Sequence, residues 1–523
     1  MSLRPHFGDA SSSGSWESPV RLTPFVRGII IALILVLAFL LGTLMDVMIL
    51  IGALGLLNVG IIVFLLLKRD ITWGFLFYLT AVIFLQRGFW IKLPGFPDLY
   101  PARIAFIVLF LVFLIQILLG MREVPRFANV EKAMIVFLVV LFISVVTSGQ
   151  KPRWLLLLRG YVYPYLFYYF ARAVVNQERQ VRLVLLYLAF IGIYCGIMGI
   201  FEGMHWYELV FPKIIVDPSV ADRGLARLGV RVRGIFLHPA VLGTVMTMGF
   251  FAAWLQLSRS RGIMPIITKL TLLAVTPLTI FFTLTRAVYA GFAGALAVGA
   301  IWSRRLRPLC IALLLGGMLA AMMNWSNLSS TERDKGGMGT MNTINYRIVI
   351  LYEALEVFLD YPFFGCGFMN FTEIANDYRR PRDVPLFGHL EIGLGTPAVP
   401  HNILLTIVAE QGLAGIVPFF LIFYFIWRKS VWAYRRLPRT GVVSRDFVVC
   451  VWCAIIAYWI NAMFIEMRYF EYVNVLFFFL MGMTTGMYER HMAALEKAPE
   501  RMDRVEPSAT PWTGRLAGRR LPA

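Results

Sequence analysis

Long apolar segments recur along almost the whole chain and are separated by short polar connections. Each holds about 17–25 residues, which is enough for a helix to cross a ~30 Å hydrocarbon core. The segments lack the period-two alternation of a transmembrane barrel, so the pattern predicts an all-α, polytopic helical membrane protein. We count about fourteen spans (12–14), near 27–45, 47–67, 71–88, 103–120, 132–148, 156–175, 182–202, 239–257, 268–284, 287–303, 307–324, 403–427, 446–465 and 472–488.

The span pattern divides the sequence into five parts. We predict a cytoplasmic N-terminal tail at 1–26, spans 1–11 over 27–324, a large outer loop at 325–402, spans 12–14 over 403–488, and a cytoplasmic tail at 489–523. The last part is charged and weakly apolar, a composition that predicts disorder.

The charge distribution orients the spans. The chain is 59% hydrophobic and carries a net charge of +19. Its Lys and Arg residues concentrate in alternate short loops, for example at Arg304, Arg305 and Arg307, which the positive-inside rule places in the cytoplasm. Because this rule accounts for the charge, no nucleic-acid partner is predicted. Cys450 and Cys453 form a C-x-x-C inside an apolar run without a second pair, so no metal or redox site is predicted.

Two polar motifs lie on the opposite, outer side. The motif RVRGIFLHP carries Arg231 and Arg233 just before the span at 239–257, where an arginine either anchors the helix in the interface or binds an anion. The short connection TLTRA places Arg286 at the bilayer boundary. A charge there indicates either a functional group or a side chain that snorkels to the surface.

Two further outer motifs surround the long loop. Arg347 lies on a segment with the period of an amphipathic helix at the membrane surface, where it either pairs with a Glu or binds phosphate. His401 precedes the span at 403–427 and is either a general base or an interfacial polar residue, and Asn402 is suited to cap the following helix. Within that span, Glu410-Gln411-Gly412 predicts a polar break that faces a cavity. The apolar residues of the Arg347 helix are Ile348, Leu351, Tyr352, Leu355 and Phe358.

Several outer arginines without an Asp-x-Asp signature suit a diphosphate leaving group held by guanidinium groups rather than by a metal ion. In combination, RGIFLHP, TLTRA, NYR followed by DYPFFGCGFMNF, and PHNILLTIVAEQGLAG resemble the O-antigen ligase/polymerase family of bacterial envelope glycosyltransferases. The resemblance covers about 230–415 and rests on the order and spacing of the motifs.

The resemblance implies a GT-C-like fold in which 325–402 is a periplasmic catalytic loop. It also implies a metal-independent, inverting glycosyltransferase without cofactors, located in the inner membrane with its active site facing the periplasm. The implied partners are an undecaprenyl-diphosphate-linked glycan donor, a glycan or lipid A core acceptor, membrane lipid, and other polysaccharide-assembly proteins. The product would be O-antigen, lipopolysaccharide, capsule or exopolysaccharide.

Matching the family motifs residue by residue assigns roles. Arg233 and Arg286 match the diphosphate-binding arginines, Arg347 matches an arginine on the outer-loop helix, and His401 matches the proposed base. Supporting candidates are Arg231, Asn402, and either Glu391 or Glu410 as the acid that orients His401, a choice that the sequence leaves open. The sequence has His238-Pro239-Ala240 where many relatives have Asn after Pro.

The sequence also leaves other functions open. A flippase or transporter for lipid-linked oligosaccharides would use similar arginines, but it should carry charged or broken helices near mid-bilayer in both halves. A protein O-oligosaccharyltransferase differs only in its acceptor, and a non-catalytic assembly platform would need no base. The clustering of charges at one face favours an enzyme.

Overall fold

The computed structural model describes residues 70–85, 100–148, 153–217, 231–257, 262–330, 342–385, 387–391 and 399–503. These residues are predominantly helical, with one small antiparallel hairpin in the outer loop. The predicted spans at 27–45 and 47–67 lie outside the described residues.

The helices follow one another with short connections. The first set is α1 Thr72–Phe84, α2 Pro101–Leu118, α3 Asn129–Thr147, α4 Trp154–Leu157, α5 Tyr163–Val174 and α6 Glu178–Gly203, with a π-helical turn at Leu158–Val162 between α4 and α5. The second set is α7 Pro239–Leu257, α8 Ile263–Phe282, α9 Arg286–Trp302, α10 Arg307–Met323 and α11 Trp325–Ser329. Short 3-10 turns occupy Lys213–Ile215, Gly234–Phe236, Ala375–Tyr378 and Met467–Tyr469.

The outer loop and the C-terminal helices complete the fold. The loop contains α12 Asn342–Asp360, α13 Phe371–Ile374, and the strands β1 Arg382–Val384 and β2 Gly388–Leu390, in which Asp383 faces His389. The remaining helices are α14 Ile403–Arg436, α15 Arg445–Ala462 and α16 Glu471–Asp503.

The helix positions confirm an all-α polytopic membrane protein. Each predicted span that falls within the described residues coincides with a helix. Six of these helices (α2, α3, α6, α8, α14 and α15) are long and apolar enough to cross a membrane. The end of the chain differs from the prediction, because α16 continues through 489–503, where a disordered tail was expected. Glu489 holds this extension by pairing with Arg172 of α5 and with Lys429 of α14.

Close backbone contact joins α16 to the centre of the bundle. Phe479 of α16 stacks on Phe75 of α1 with ring centroids 3.6 Å apart. A Cβ atom at Gly482 would lie 2.0 Å from the carbonyl oxygen of Tyr168, so only glycine permits this approach of α16 to α5. These contacts fix the first half of α16, whose first residues lie beside the candidate site.

The outer-loop helix α12 is amphipathic, and a second apolar face, next to the predicted one, packs against protein. Ile350, Ala354 and Val357 pack against a cluster that includes Ala409 of α14. The predicted apolar face is partly open, with Leu351 and Leu355 37% and 41% exposed. This exposed stripe fits a membrane-facing helix, whereas the buried stripe attaches the outer loop to the bundle.

Candidate functional site

Three helices begin just after backbone turns that are unfavourable for their residue types. Leu237, Leu284 and His401 have φ angles of 54°, 43° and 46°, and each lies two residues before the first residue of α7, α9 and α14 respectively. The left-handed conformation costs a residue with a Cβ atom about 1–2 kcal/mol. Such strain persists only where the surrounding structure enforces it, and it is common at functional sites.

His401 lies between the outer loop and the bundle. Its ring centroid is 6.3 Å from that of Tyr346 on α12, and the Tyr346 hydroxyl accepts a hydrogen bond of 3.1 Å from the backbone N–H of Val399. Burial lowers the pKa of His401 below its usual value, and the positive charge of Arg347 lowers it further. His401 is therefore neutral near pH 7 and able to accept a proton.

A second histidine, His238, lies in the same region. Its ring centroid is 4.9 Å from that of Phe470. Burial lowers the pKa of His238 to about 4, with further contributions from His401 and Arg231. Its buried Nδ1 atom has no hydrogen-bond partner in the described part of the chain. A neutral imidazole with an unused nitrogen is suited to bind a hydroxyl group.

The structure brings the RVRGIFLHP and TLTRA motifs together. The backbone N–H of Val232 donates to the carbonyl of Phe282 at the end of α8, with a distance of 3.1 Å. Arg231 also lies within electrostatic reach of Tyr289, which is one helical turn beyond Arg286 on α9. Arg286 is exposed at the first position of α9. Arg231 and Arg286 thus belong to one surface at the same end of the helical bundle.

Arg233 occupies a different environment. Its side chain is only 2% exposed, its Nη2 atom donates to the carbonyl of Ile215 at 2.8 Å, and its Nε atom lies 3.8 Å from Glu202. The Glu202 carboxylate also accepts the backbone N–H groups of Arg233 and Gly234, the latter at 2.8 Å. Arg233 therefore braces the RVRG segment.

Arg347 and Asn402 are both anchored to the connection between α15 and α16. Arg347 donates to the carbonyl of Phe464 at 3.2 Å and lies 5.1 Å from the centroid of its ring. Asn402 donates to the carbonyl of Met463 at 3.3 Å. Its side-chain oxygen accepts the N–H of Leu404 at 2.9 Å, which confirms the predicted helix cap.

The two acids proposed to orient His401 have different surroundings. Glu410 is buried and forms a bidentate pair with Arg468, with Nη1–Oε2 and Nη2–Oε1 distances of 2.5 and 2.9 Å. The Nε atom of Arg468 pairs with Glu466, whose pKa is raised by burial to about 7. Glu391 is exposed just after β2. Because Arg468 engages both Glu410 oxygens, Glu410 belongs to the bundle interior.

The predicted break in α14 is confirmed, but its polar backbone meets protein rather than an open cavity. Gly412 has a φ of 57°, and the outer-loop turn at 362–367 pairs with the interrupted helix. Four backbone hydrogen bonds make this junction: Cys366 N to Ala409 O (2.9 Å), Gly367 N to Glu410 O (3.0 Å), Leu413 N to Pro362 O (2.8 Å) and Ala414 N to Phe363 O (2.9 Å). The outer loop is therefore fastened to the span that begins beside His401.

Sequence reasoning missed three residues that support the site. Glu202, Glu466 and Arg468 are all buried, and each makes contacts that position a motif residue or its neighbours. The sequence signal that could have identified them is an ionisable residue in or beside an apolar segment, because burying such a group costs free energy unless it is paired. Among the described residues, no group of three or more His, Cys, Asp or Glu side chains is arranged to hold a metal ion.

Comparison with known proteins identifies the region that contains much of this site. The family model for O-antigen ligase matches residues 270–420, which include Arg286, the outer loop, His401 and the break in α14. No curated protein matches the chain. The family match supports an enzyme of the ligase or glycosyltransferase type that acts in envelope polysaccharide assembly. It supports the resemblance carried by the motifs: residues 270–420 of this multi-pass membrane protein match the O-antigen ligase family model.

Proposed function

We propose that the protein is a membrane glycosyltransferase of surface polysaccharide assembly. It transfers a glycan from an undecaprenyl-diphosphate carrier to a sugar hydroxyl at the periplasmic face of the inner membrane, as a polymerase or ligase. The observation that carries the proposal is the proximity of His238, His401 and Arg231 where α7 and α14 begin, with Arg286 at the start of α9, one helical turn from Tyr289, which Arg231 approaches. These residues lie next to or within the region that the O-antigen ligase family model matches.

The arginines at this surface suit the leaving group. We assign direct contact with the donor diphosphate to Arg231 and Arg286, while Arg233 supports Arg231 through the segment that Glu202 holds. Guanidinium groups bind phosphate oxygens through charge-assisted, often bidentate hydrogen bonds. If each acts like an oxyanion-hole donor, its loss removes about 3–4 kcal/mol of transition-state stabilisation.

His401 is the proposed general base. It accepts the proton of the acceptor hydroxyl while that oxygen attacks the anomeric carbon, and the bond from that carbon to the diphosphate oxygen breaks. Undecaprenyl diphosphate leaves and the anomeric configuration inverts. The lowered pKa of His401 keeps the base neutral, and Arg347, which contributes to that shift, completes the positive surface. The scheme uses no metal ion and no cofactor.

The outer loop, proposed as the catalytic loop over 325–402, excludes water from this surface and so favours transfer over hydrolysis. Its attachment is specific, because the turn at 362–367 pairs with the backbone of α14 around Gly412. A glycan or lipid A core, membrane lipid and other polysaccharide-assembly proteins are the proposed partners of this face.

The test uses a strain that lacks the native gene and expresses variants at equal membrane levels. Arg286→Ala and His401→Ala should abolish assembly of the surface polysaccharide, whereas the matched controls Arg304→Ala and His389→Ala should retain it. Full assembly with either site variant would refute its assigned role.

Purified protein separates the proposed enzyme from a flippase. Turnover of a lipid-linked glycan in detergent, where no second compartment exists, is expected for a transferase. Identification of the polymer, lipid A conjugate or glycoprotein that disappears in the deletion strain then defines the acceptor.

A further inference from the structure

A second group of cationic and aromatic side chains lies beside the proposed active site. It consists of Tyr100 and Arg103 at the start of α2, Arg159 on the π-helical turn, and Glu471 at the start of α16. The guanidinium carbons of Arg103 and Arg159 lie 4.8 and 5.5 Å from the centroid of the Tyr100 ring. The Tyr100 ring therefore makes cation–π contacts with both arginines.

The group contains more positive than negative charge. Glu471 is the carboxylate between the arginines: its Oε2 lies 3.3 Å from Arg159 Nε, and its Oε1 accepts a hydrogen bond of 2.6 Å from Tyr78. Arg103 and Arg159 repel one another, since each guanidinium lies in the field of the other. A bound anion would relieve that repulsion.

Arg159 has the geometry of a ligand-binding group. Its side chain is 24% exposed, and its buried Nε atom makes no hydrogen bond among the described residues. It lies on a π-helical turn, a rare conformation that is frequent at functional sites. The next residue, Gly160, permits close contact with Arg468, since a Cβ atom there would lie 3.0 Å from the Arg468 carbonyl oxygen. The turn therefore fixes Arg159 while leaving its head available.

The group adjoins the proposed active site but is distinct from it. Glu471 directly follows Phe470, whose ring contacts His238, and Tyr472 contacts Phe236 of the RVRGIFLHP motif with ring centroids 5.2 Å apart. The beginning of α16 thus separates two positively charged surfaces at the same end of the bundle.

We propose that Arg159, Arg103 and Tyr100 form a second phosphate-binding site, which takes the headgroup phosphate of a lipid adjacent to the donor. The planar fork of Arg159 binds the phosphate oxygens, and Tyr100 holds the guanidinium in place. Two sources share this chemistry: the diphosphate of a second lipid-linked glycan, which would be the acceptor under the proposed function, and the headgroup of an anionic phospholipid.

The test measures lipid stoichiometry on the purified full-length protein by native mass spectrometry. The protein is titrated separately with undecaprenyl diphosphate and with phosphatidylglycerol. The wild type should bind two undecaprenyl diphosphate molecules, and Arg159→Gln should weaken one of them by ~10- to 100-fold, as expected for the loss of hydrogen bonds to a charged group. The control Arg380→Gln, at an exposed outer-loop arginine, should bind as the wild type does.

Two further variants keep the outcome decisive. Tyr100→Leu removes the aromatic ring but preserves the ion pair between Arg159 and Glu471. This variant should bind the second lipid more weakly, as Arg159→Gln does, without disturbing that pair. Arg286→Gln should weaken the other lipid. If Arg286→Gln has no effect while Arg159→Gln does, the second site stands and the assigned donor site fails.

The lipid titrations identify the source. If Arg159→Gln weakens the binding of undecaprenyl diphosphate alone, the site belongs to a second lipid-linked substrate. If it weakens the binding of phosphatidylglycerol equally, the site belongs to bulk anionic lipid. Unchanged stoichiometry and affinity in folded Arg159→Gln would overturn the proposal.

Discussion

The junction between the outer loop and the broken span can be tested at a single glycine. Gly365 has a φ of 67°, and a Cβ atom there would lie 2.2 Å from the carbonyl carbon of Glu410. Gly365→Ala must therefore separate the outer-loop turn from α14. Gly388 in the hairpin of the same loop has a φ of 72°, but no neighbouring atom lies within 4 Å of the position that a Cβ atom would occupy there. Gly388→Ala therefore introduces only the strain of a left-handed backbone conformation, without a steric clash.

The difference between the two variants gives the strength of the junction. Both are destabilised by about 1–2 kcal/mol because alanine must adopt a left-handed conformation. Gly365→Ala also weakens the bonds from Cys366 N to Ala409 O and from Gly367 N to Glu410 O, each of which contributes about 0.5–1.5 kcal/mol. The additional destabilisation is therefore about 1–3 kcal/mol, or a factor of about 5–150 in the opening equilibrium.

Cys366 reports this opening directly. The other four cysteines are buried, and burial raises the pKa of the Cys366 thiol to about 12, so its reactive thiolate is scarce in the closed junction. Maleimide labelling of Cys366 should accelerate at least about 5-fold in Gly365→Ala and change little in Gly388→Ala. Equal labelling rates and equal melting temperatures in the two variants would refute the proposed junction.

Two further predictions concern charged groups. His401 must be neutral to act as a base, and its pKa is lowered, so kcat/KM should decrease only below pH ~6.5. Arg347→Gln removes one cause of the lowered pKa and should move this decrease to higher pH, which a pH–rate profile measures. Arg468→Met leaves the buried Glu410 and Glu466 without their cation and should destabilise the protein by about 3–5 kcal/mol, whereas Glu410→Gln should be milder. Size-exclusion profiles and melting temperatures compare the last two variants, and equal stability would contradict the role of Arg468.

The helices and two local features were predictable because their signals are local. Apolar runs set the spans, Asn402 before an apolar segment indicated a cap, and Gly412 beside two polar residues indicated a break. The buried face of α12 was not predictable from its period, since it depends on contact with Ala409 of α14. In each successful case the decisive residues were neighbours in the sequence.

The partners of the charged residues could not be predicted for the opposite reason. Glu410 and Arg468 are separated by 58 positions, and Glu202 and Arg233 by 31. Alternative pairings, such as Glu410 with His401, satisfy the sequence equally well. Only the packing of α6, α14 and the connection before α16 shows which arginines pair with buried carboxylates and which remain at the surface.

The position of His401 depends on the short first section of α14 rather than on the full span. Beyond the break, Lys429 pairs with Glu489 and fixes the far section of α14 to α16. Before the break, Asn402 is tied to Met463 and Glu410 to Arg468, while the outer-loop turn bonds to the backbone on both sides of Gly412. The outer-loop turn therefore holds α14 at the break, where its backbone hydrogen bonds reach both sections of the helix. The section that carries His401 is positioned by this turn together with Met463 and Arg468, whereas the far section is held separately by α16.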